Sequence, residues 1–212
     1  MYQVARVRED AVAFCGAVRQ AEPYRPLMVK IKLTWRCNLD CPMCDRWHQE
    51  RPTPLTTDKL IGLLDELPAL GCRKVHFSGG EPTLCSDLPD LVAYAHRLGL
   101  RVTLTTNGTL VTKDLARRLV SAGLNGVCVS MDSPARSTHD RMRGALGTFK
   151  LAAAGVRALR HAAEQRGARL SIRINTVITR DNYDTLGKLP ALAQALGVQS
   201  WLLMPVDDPA GE

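Results

Sequence analysis

The sequence predicts an α/β fold, a partial (β/α)6 TIM-like barrel of parallel strands. Three observations predict it. First, short β-rich runs alternate with helical stretches until six strands and five helices have been laid down. Strict alternation of this kind gives parallel strands joined by right-handed crossovers. Second, the chain has 212 residues and reaches its first strand-like run only at residue 28. That leaves too little for the ~250 residues of an eight-stranded barrel. Third, the motif-bearing segments follow the C-terminal ends of the strands, where ligands gather in such folds. A doubly wound open sheet is the rival arrangement and shares that rule.

Residues 1–27 read as an N-terminal helical extension, with a helix over roughly Glu9–Gln20 and a linker from Pro23 to Pro26. Residues 28–212 read as the core domain. Its first strand is Met28–Leu33. A helix follows with Leu60, Leu63, Leu64 and Leu67 at spacings of three and four, after the capping signal Thr56-Thr57-Asp58. The second strand, Lys74–Phe77, leads to a helix bearing Leu88, Leu91, Val92 and Ala95, closed by Gly99. The third, Arg101–Thr105, leads to a helix bearing Leu115, Leu119 and Val120, closed by Gly123. The fourth, Gly126–Val129, precedes a helix bearing Phe149, Ala152, Val156 and Leu159, with Thr148 as its expected N-cap. The fifth, Leu170–Val177, precedes a helix over Leu186–Leu196, closed by Gly197. The sixth is Ser200–Met204. The segment 139–144 reads as a loop in which Arg141 and Arg143 face either solvent or an anionic substrate.

Composition narrows the function. Hydrophobic residues make up 45% and charged residues 23%, which excludes a disordered, collagenous or disulfide-stapled chain. No apolar run approaches the ~20 residues of a membrane helix. The N-terminus lacks signal-peptide character, so the cytoplasm is the expected compartment and no membrane partner is expected. The net charge of +7 is spread along the chain, as on a solvated surface. With aromatics at only 5%, too sparse for base stacking, nucleic acid is not an expected partner.

Seven cysteines, an odd count, argue against a disulfide framework. Three of them form C-x3-C-x2-C in Cys37-Asn38-Leu39-Asp40-Cys41-Pro42-Met43-Cys44, a turning loop after the first strand that would bring the thiolates together. Soft thiolates select zinc or an iron–sulfur cluster. Zinc requires a fourth ligand, for which His48 or Asp45 is available. A [4Fe–4S] cluster on three cysteines leaves one iron open to a ligand. Cys15, Cys72, Cys85 and Cys128 read as buried small apolar residues. The second motif, Ser78-Gly79-Gly80-Glu81-Pro82-Thr83-Leu84, ends the second strand. Its glycines permit close backbone approach to a ligand, and Glu81 offers a carboxylate.

Together, CNLDCPMC, SGGEPTL and the later TTNGTL, SMDS, RIN and LLMPV resemble the radical S-adenosylmethionine (SAM) superfamily over about residues 28–206. Order and spacing look most like the branch with the molybdenum-cofactor cyclase and the peptide-modifying and sulfatase-maturing enzymes. The resemblance implies a [4Fe–4S] cluster on Cys37, Cys41 and Cys44. SAM would bind at the open iron and be cleaved reductively to a 5′-deoxyadenosyl radical that abstracts hydrogen from a small-molecule or peptide substrate. A one-electron donor such as a flavodoxin or ferredoxin is implied with it. Gly79, Gly80 and Glu81 would face the SAM ammonium, and Thr106 and Asn107 would lie near SAM or substrate. Ser130 and Asp132 would contact the ribose, Arg173 and Asn175 the carboxylate or substrate, and Met204 the adenine. Met43 stands where the family usually has an aromatic residue against the adenine. No cysteine follows Cys128, so a C-terminal auxiliary-cluster region is not expected. Two other functions fit the motifs less fully: an activase that makes a glycyl radical on a partner protein, and a non-catalytic zinc or cluster module.

Overall fold

The computed structural model describes residues 4–22, 24–44 and 55–206. Helix α1 (Val4–Arg19) precedes strand β1 (Met28–Thr34). The chain continues through α2 (Thr57–Ala69), β2 (Lys74–Gly79), α3 (Leu88–Arg97), β3 (Arg101–Thr106), α4 (Lys113–Ser121) and β4 (Gly126–Ser130). It then forms α5 (Arg136–Arg143), α6 (Thr148–Arg166), β5 (Ser171–Ile178), α7 (Leu189–Leu196) and β6 (Ser200–Pro205).

The sheet order is β1-β2-β3-β4-β5-β6, and each neighbouring pair is parallel. A doubly wound sheet reverses direction at a switch point. This one never reverses, so right-handed crossovers place the helices on one face and the strands curl into a barrel wall. Among the described residues β1 and β6 remain edges, so the barrel is partial and not closed.

Alternation along the strands builds the two faces. Val75, Phe77, Val102, Leu104, Val127, Val129, Ile172 and Ile174 point outward into one core with Leu64 and Leu67 of α2, Leu91 of α3, Leu119 of α4 and Val156 and Leu159 of α6. The intervening strand residues form the concave face. Helix α1 is tied on through the buried Asp10, whose carboxylate pairs with Arg25 at 2.7 Å and with Arg73, just before β2, at 2.8 Å.

Several boundaries differ from the sequence reading. Thr56 caps α2 as expected, accepting from the Lys59 N–H. The expected Thr148 cap of α6 is displaced: Gly147 holds the N-cap position with φ 82°, and Thr148 begins the helix. Asp140 supplies the cap instead, accepting from Gly147 N–H at 2.7 Å, Phe149 N–H at 2.8 Å and the Thr148 hydroxyl at 2.8 Å. The expected helix at 186–196 is a 3₁₀ turn over Tyr183–Lys188 followed by α7, with Pro190 in the first turn. The segment read as a loop at 139–144 is the end of α5, an eight-residue helix that buries His139 and Met142, together with its C-cap Gly144.

Candidate active site at the C-terminal ends of the strands

One cavity of about 580 Å³ opens where the strands end, and Cys37, Cys41 and Cys44 all line it. The cysteine loop is seated by backbone contacts. Gly80 N–H donates to Thr34 O at 2.7 Å and Glu81 N–H to Arg36 O at 2.8 Å. A Cβ on Gly79 would lie 2.4 Å from Thr34 O, and one on Gly80 would lie 2.1 Å from Arg36 O. Gly79 also has φ 144°, a region L side chains avoid. Both glycines line the cavity. The close approach they permit is between the end of β2 and the root of the cysteine loop.

The Glu81 carboxylate meets a different fate from the expected one. It is completely buried and accepts four hydrogen bonds from the protein. Oε1 takes the Thr83 N–H at 3.1 Å, the Thr83 hydroxyl at 2.5 Å and the Thr106 hydroxyl at 2.7 Å, while Oε2 takes the Asn107 N–H at 2.7 Å. Glu81 thus ties the end of β2 to the end of β3, and its side chain does not line the cavity. Asn107 carries the tie onward. Its Nδ2 donates to Asn38 Oδ1 at 2.9 Å and lies 4.0 Å from Cys37 Sγ.

Asp132 departs from expectation for the same reason. Its Oδ1 accepts from Arg143 Nη2 at 2.8 Å and from Val177 N–H at 3.1 Å, and Oδ2 lies 2.6 Å from Arg143 Nε. Oδ2 is held there by charge without a hydrogen bond, and Asp132 does not line the cavity. Arg173 lies on the concave face, off the cavity lining, with Nε 3.3 Å from Ser200 Oγ. The other candidates do gather at the cavity: Met43, Thr106, Asn107, Ser130, Asn175 and Met204. Asn175 Oδ1 is buried with no hydrogen-bond partner among the described residues, as expected of a group awaiting a ligand.

Among the lining residues that the sequence left unassigned are Lys30 on β1 and Trp35 at the start of the cysteine loop. Arg143, left open there, also lines the cavity, with Nη1 3.9 Å from Cys41 Sγ. Only its basic character in an Arg-rich segment was visible beforehand. Burial pushes the Cys37 and Cys41 thiols up, and Arg143 opposes that push at Cys41. Among the described residues no three His, Cys, Asp or Glu side chains close on a single-ion site, so the thiols flank the cavity rather than meeting at a point. His48 and Asp45, the alternative zinc ligands, lie outside the described residues.

The family model of the radical SAM superfamily matches residues 31–186. The chain belongs to the radical SAM superfamily. Among curated relatives, the AdoMet-dependent heme synthase of Nitratidesulfovibrio vulgaris is 33% identical over 189 residues, which cover 87% of this chain and 50% of the relative. The PqqA peptide cyclase of Streptomyces rochei is 37% identical over 175 residues, covering 81% of this chain and 46% of the relative. The chain therefore spans about half the length of the curated relatives it matches. Among solved structures, Streptococcus suis SuiB bound to S-adenosylmethionine superposes with a TM-score of 0.78 at 19% identity, over 93% of this chain and 44% of that one. That likeness shows the shared fold.

Radical SAM membership implies SAM and an iron–sulfur cluster, and the residues present fit both. Three thiols from one loop are a soft donor set suited to iron and sulfide. The cavity beside them falls within the range of small-ligand sites. No helix among the described residues is long and apolar enough to cross a membrane.

Proposed function

We propose that this chain carries the radical-generating half of a radical SAM enzyme, acting on a small-molecule or peptide substrate. The arrangement that supports it most is a single cavity bordered by the three-cysteine loop, the Gly79-Gly80 strand end and the orphaned Asn175 Oδ1. Cys37, Cys41 and Cys44 would hold a [4Fe–4S] cluster. When bound, cluster and SAM together supply the one-electron cleavage that yields a hydrogen-abstracting radical.

The protein's part is binding, orientation and shielding. Gly79 and Gly80 leave the β2 end bare of side chains, so main-chain groups face the cavity. Ser130 and Asn175, adjacent in register on β4 and β5, offer polar contacts on its wall. Met43 and Met204 offer polarizable apolar surface for a flat base. Glu81 and Asp132 act from behind, holding the β3 end and Arg143. The names of the curated relatives, a heme synthase and a peptide cyclase, support both substrate classes, and a flavodoxin or ferredoxin is the expected electron donor.

The test is anaerobic reconstitution with iron and sulfide, then dithionite and SAM, with 5′-deoxyadenosine measured by chromatography. About four irons per chain and 5′-deoxyadenosine formation are expected. Cys37→Ala, Cys41→Ala and Cys44→Ala should each abolish it, while Cys15→Ala and Cys72→Ala should not. One tightly bound zinc and no labile sulfide would overturn the reading.

A further inference from the structure

Every basic residue of the sheet lies on its concave face. These are Lys30 and Lys32 of β1, Lys74 of β2, Arg101 of β3 and Arg173 of β5. Each alternates with a residue that packs outward: Ile31, Val75, Val102, Ile172 and Ile174 sit beside them in the core. None of the six described strands carries an Asp or Glu. Among the described residues none of the five cations forms an ion pair with a carboxylate. Lys32 lies over the Trp35 ring at 4.8 Å, and Arg173 has its Nε 3.3 Å from the Ser200 hydroxyl. The field is strong enough to act on a neighbour. His76, bridged to Thr103 and Thr105 at 2.8 and 2.9 Å, is lowered to about 4 by burial, then by Lys74 and Lys30.

We propose that this concave face binds a substrate bearing several carboxylates and directs its reacting end into the cavity. Lys30 belongs to both surfaces, so the two are continuous. Spacing argues for dispersed single charges. Neighbouring strands lie ~4.8 Å apart and alternate residues ~6.6 Å apart, so the five cations spread over roughly 20 Å. A single phosphate needs donors that converge, such as an arginine fork or a nest of backbone N–H groups. A nucleic-acid strand needs aromatic surface to stack on. The concave positions of the described strands carry no Phe, Tyr or Trp, and Trp35 at the cavity is already covered by Lys32. The proposal rests on the reading of the cavity as the radical site.

The test uses cluster-reconstituted protein and four probes: coproporphyrin III with its four carboxylates, its uncharged tetramethyl ester, a hexaglutamate peptide and an oligouridylate. At least one carboxylate probe should bind, more weakly as salt rises, and the ester should not. Lys74→Gln with Arg173→Gln should weaken that binding about tenfold. Lys59→Gln with Lys150→Gln, on the outer helices, should leave it unchanged. Binding of the porphyrin alone assigns a small-molecule source for the carboxylates, and binding of the peptide alone a peptide source. Binding of neither, equal binding by the double variant, equal binding of the ester, or tighter binding of the oligouridylate would overturn the proposal. Formation of 5′-deoxyadenosine in the same preparation reads the cavity separately. Its loss with carboxylate binding intact would fault the radical reading and leave the anion face standing.

Discussion

Asp132 clamps Arg143 through both carboxylate oxygens, at 2.8 and 2.6 Å, and so holds the guanidinium 3.9 Å from Cys41 Sγ. The pair joins β4 to the cysteine loop across α5, whose capping Gly144 lies so near Asp40 that a Cβ there would stand 2.4 Å from its carbonyl oxygen. Hydrogen bonds to ligating sulfur help to set a cluster's potential. A cation against Cys41 favours the reduced, more negative state. Arg143→Gln should therefore lower the cluster potential by on the order of 50 mV, close to a tenfold change for a one-electron couple. A redox titration followed by electron paramagnetic resonance checks it.

Asp132→Asn leaves Arg143 buried without its counter-charge. Breaking a buried pair from one side costs about 3–5 kcal/mol. The variant should unfold at markedly lower denaturant than wild type, and Asp132→Asn with Arg143→Gln should recover part of the loss. A double-mutant cycle in urea measures the coupling.

Glu81→Ala strands the buried N–H of Asn107, at about 1–3 kcal/mol, and takes the acceptor from the half-buried Thr83 N–H. The expected result is a lower melting temperature even before iron is added, with reduced cluster retention. Glu81→Gln keeps one acceptor oxygen and should lose less. A variant with unchanged melting temperature and weakened SAM affinity alone would return Glu81 to the ligand-facing role expected from sequence.

Gly80→Ala forces the cysteine loop away from β2, since the new Cβ meets Arg36 backbone on contact. Iron incorporation should fall sharply. Gly62→Ala in α2 has open space around it and should be neutral or stabilising by about 0.5–1 kcal/mol. Iron content and thermal melts of the two variants separate loop displacement from a general effect of added bulk.

Acid should destabilise the fold through its histidines. His139 accepts from the Asp132 N–H at 3.1 Å and is lowered to about 4, mainly by burial and then by Arg143. His76 is lowered likewise. Both stay neutral when folded and titrate near 6.5 when unfolded. Between those values the unfolded chain binds more protons, so stability is full above about pH 6.5 and declines as pH falls toward 4. Melting temperature against pH should show that slope, and His139→Gln should flatten part of it.

The sequence by itself determined the six strands and most of the helices, because hydrophobic period is local and each segment reports its own buried face. It also determined the three-cysteine loop, whose cysteines lie within eight residues. The predicted partial barrel implied a sequential sheet order, and the tertiary structure decided for it against the doubly wound rival, since nothing within a strand states which neighbour it pairs with. It decided α5 as well, whose Arg-rich sequence hides the buried His139 and Met142, with His139 packed edge-on to Phe149 of α6. Asp140 likewise caps a helix that begins eight residues later. Above all it decided where the carboxylates of Glu81 and Asp132 point. Either could have faced a ligand. Their donors at Thr106, Asn107, Arg143 and Val177 come from other elements, and a buried carboxylate turns toward the donors that folding brings to it.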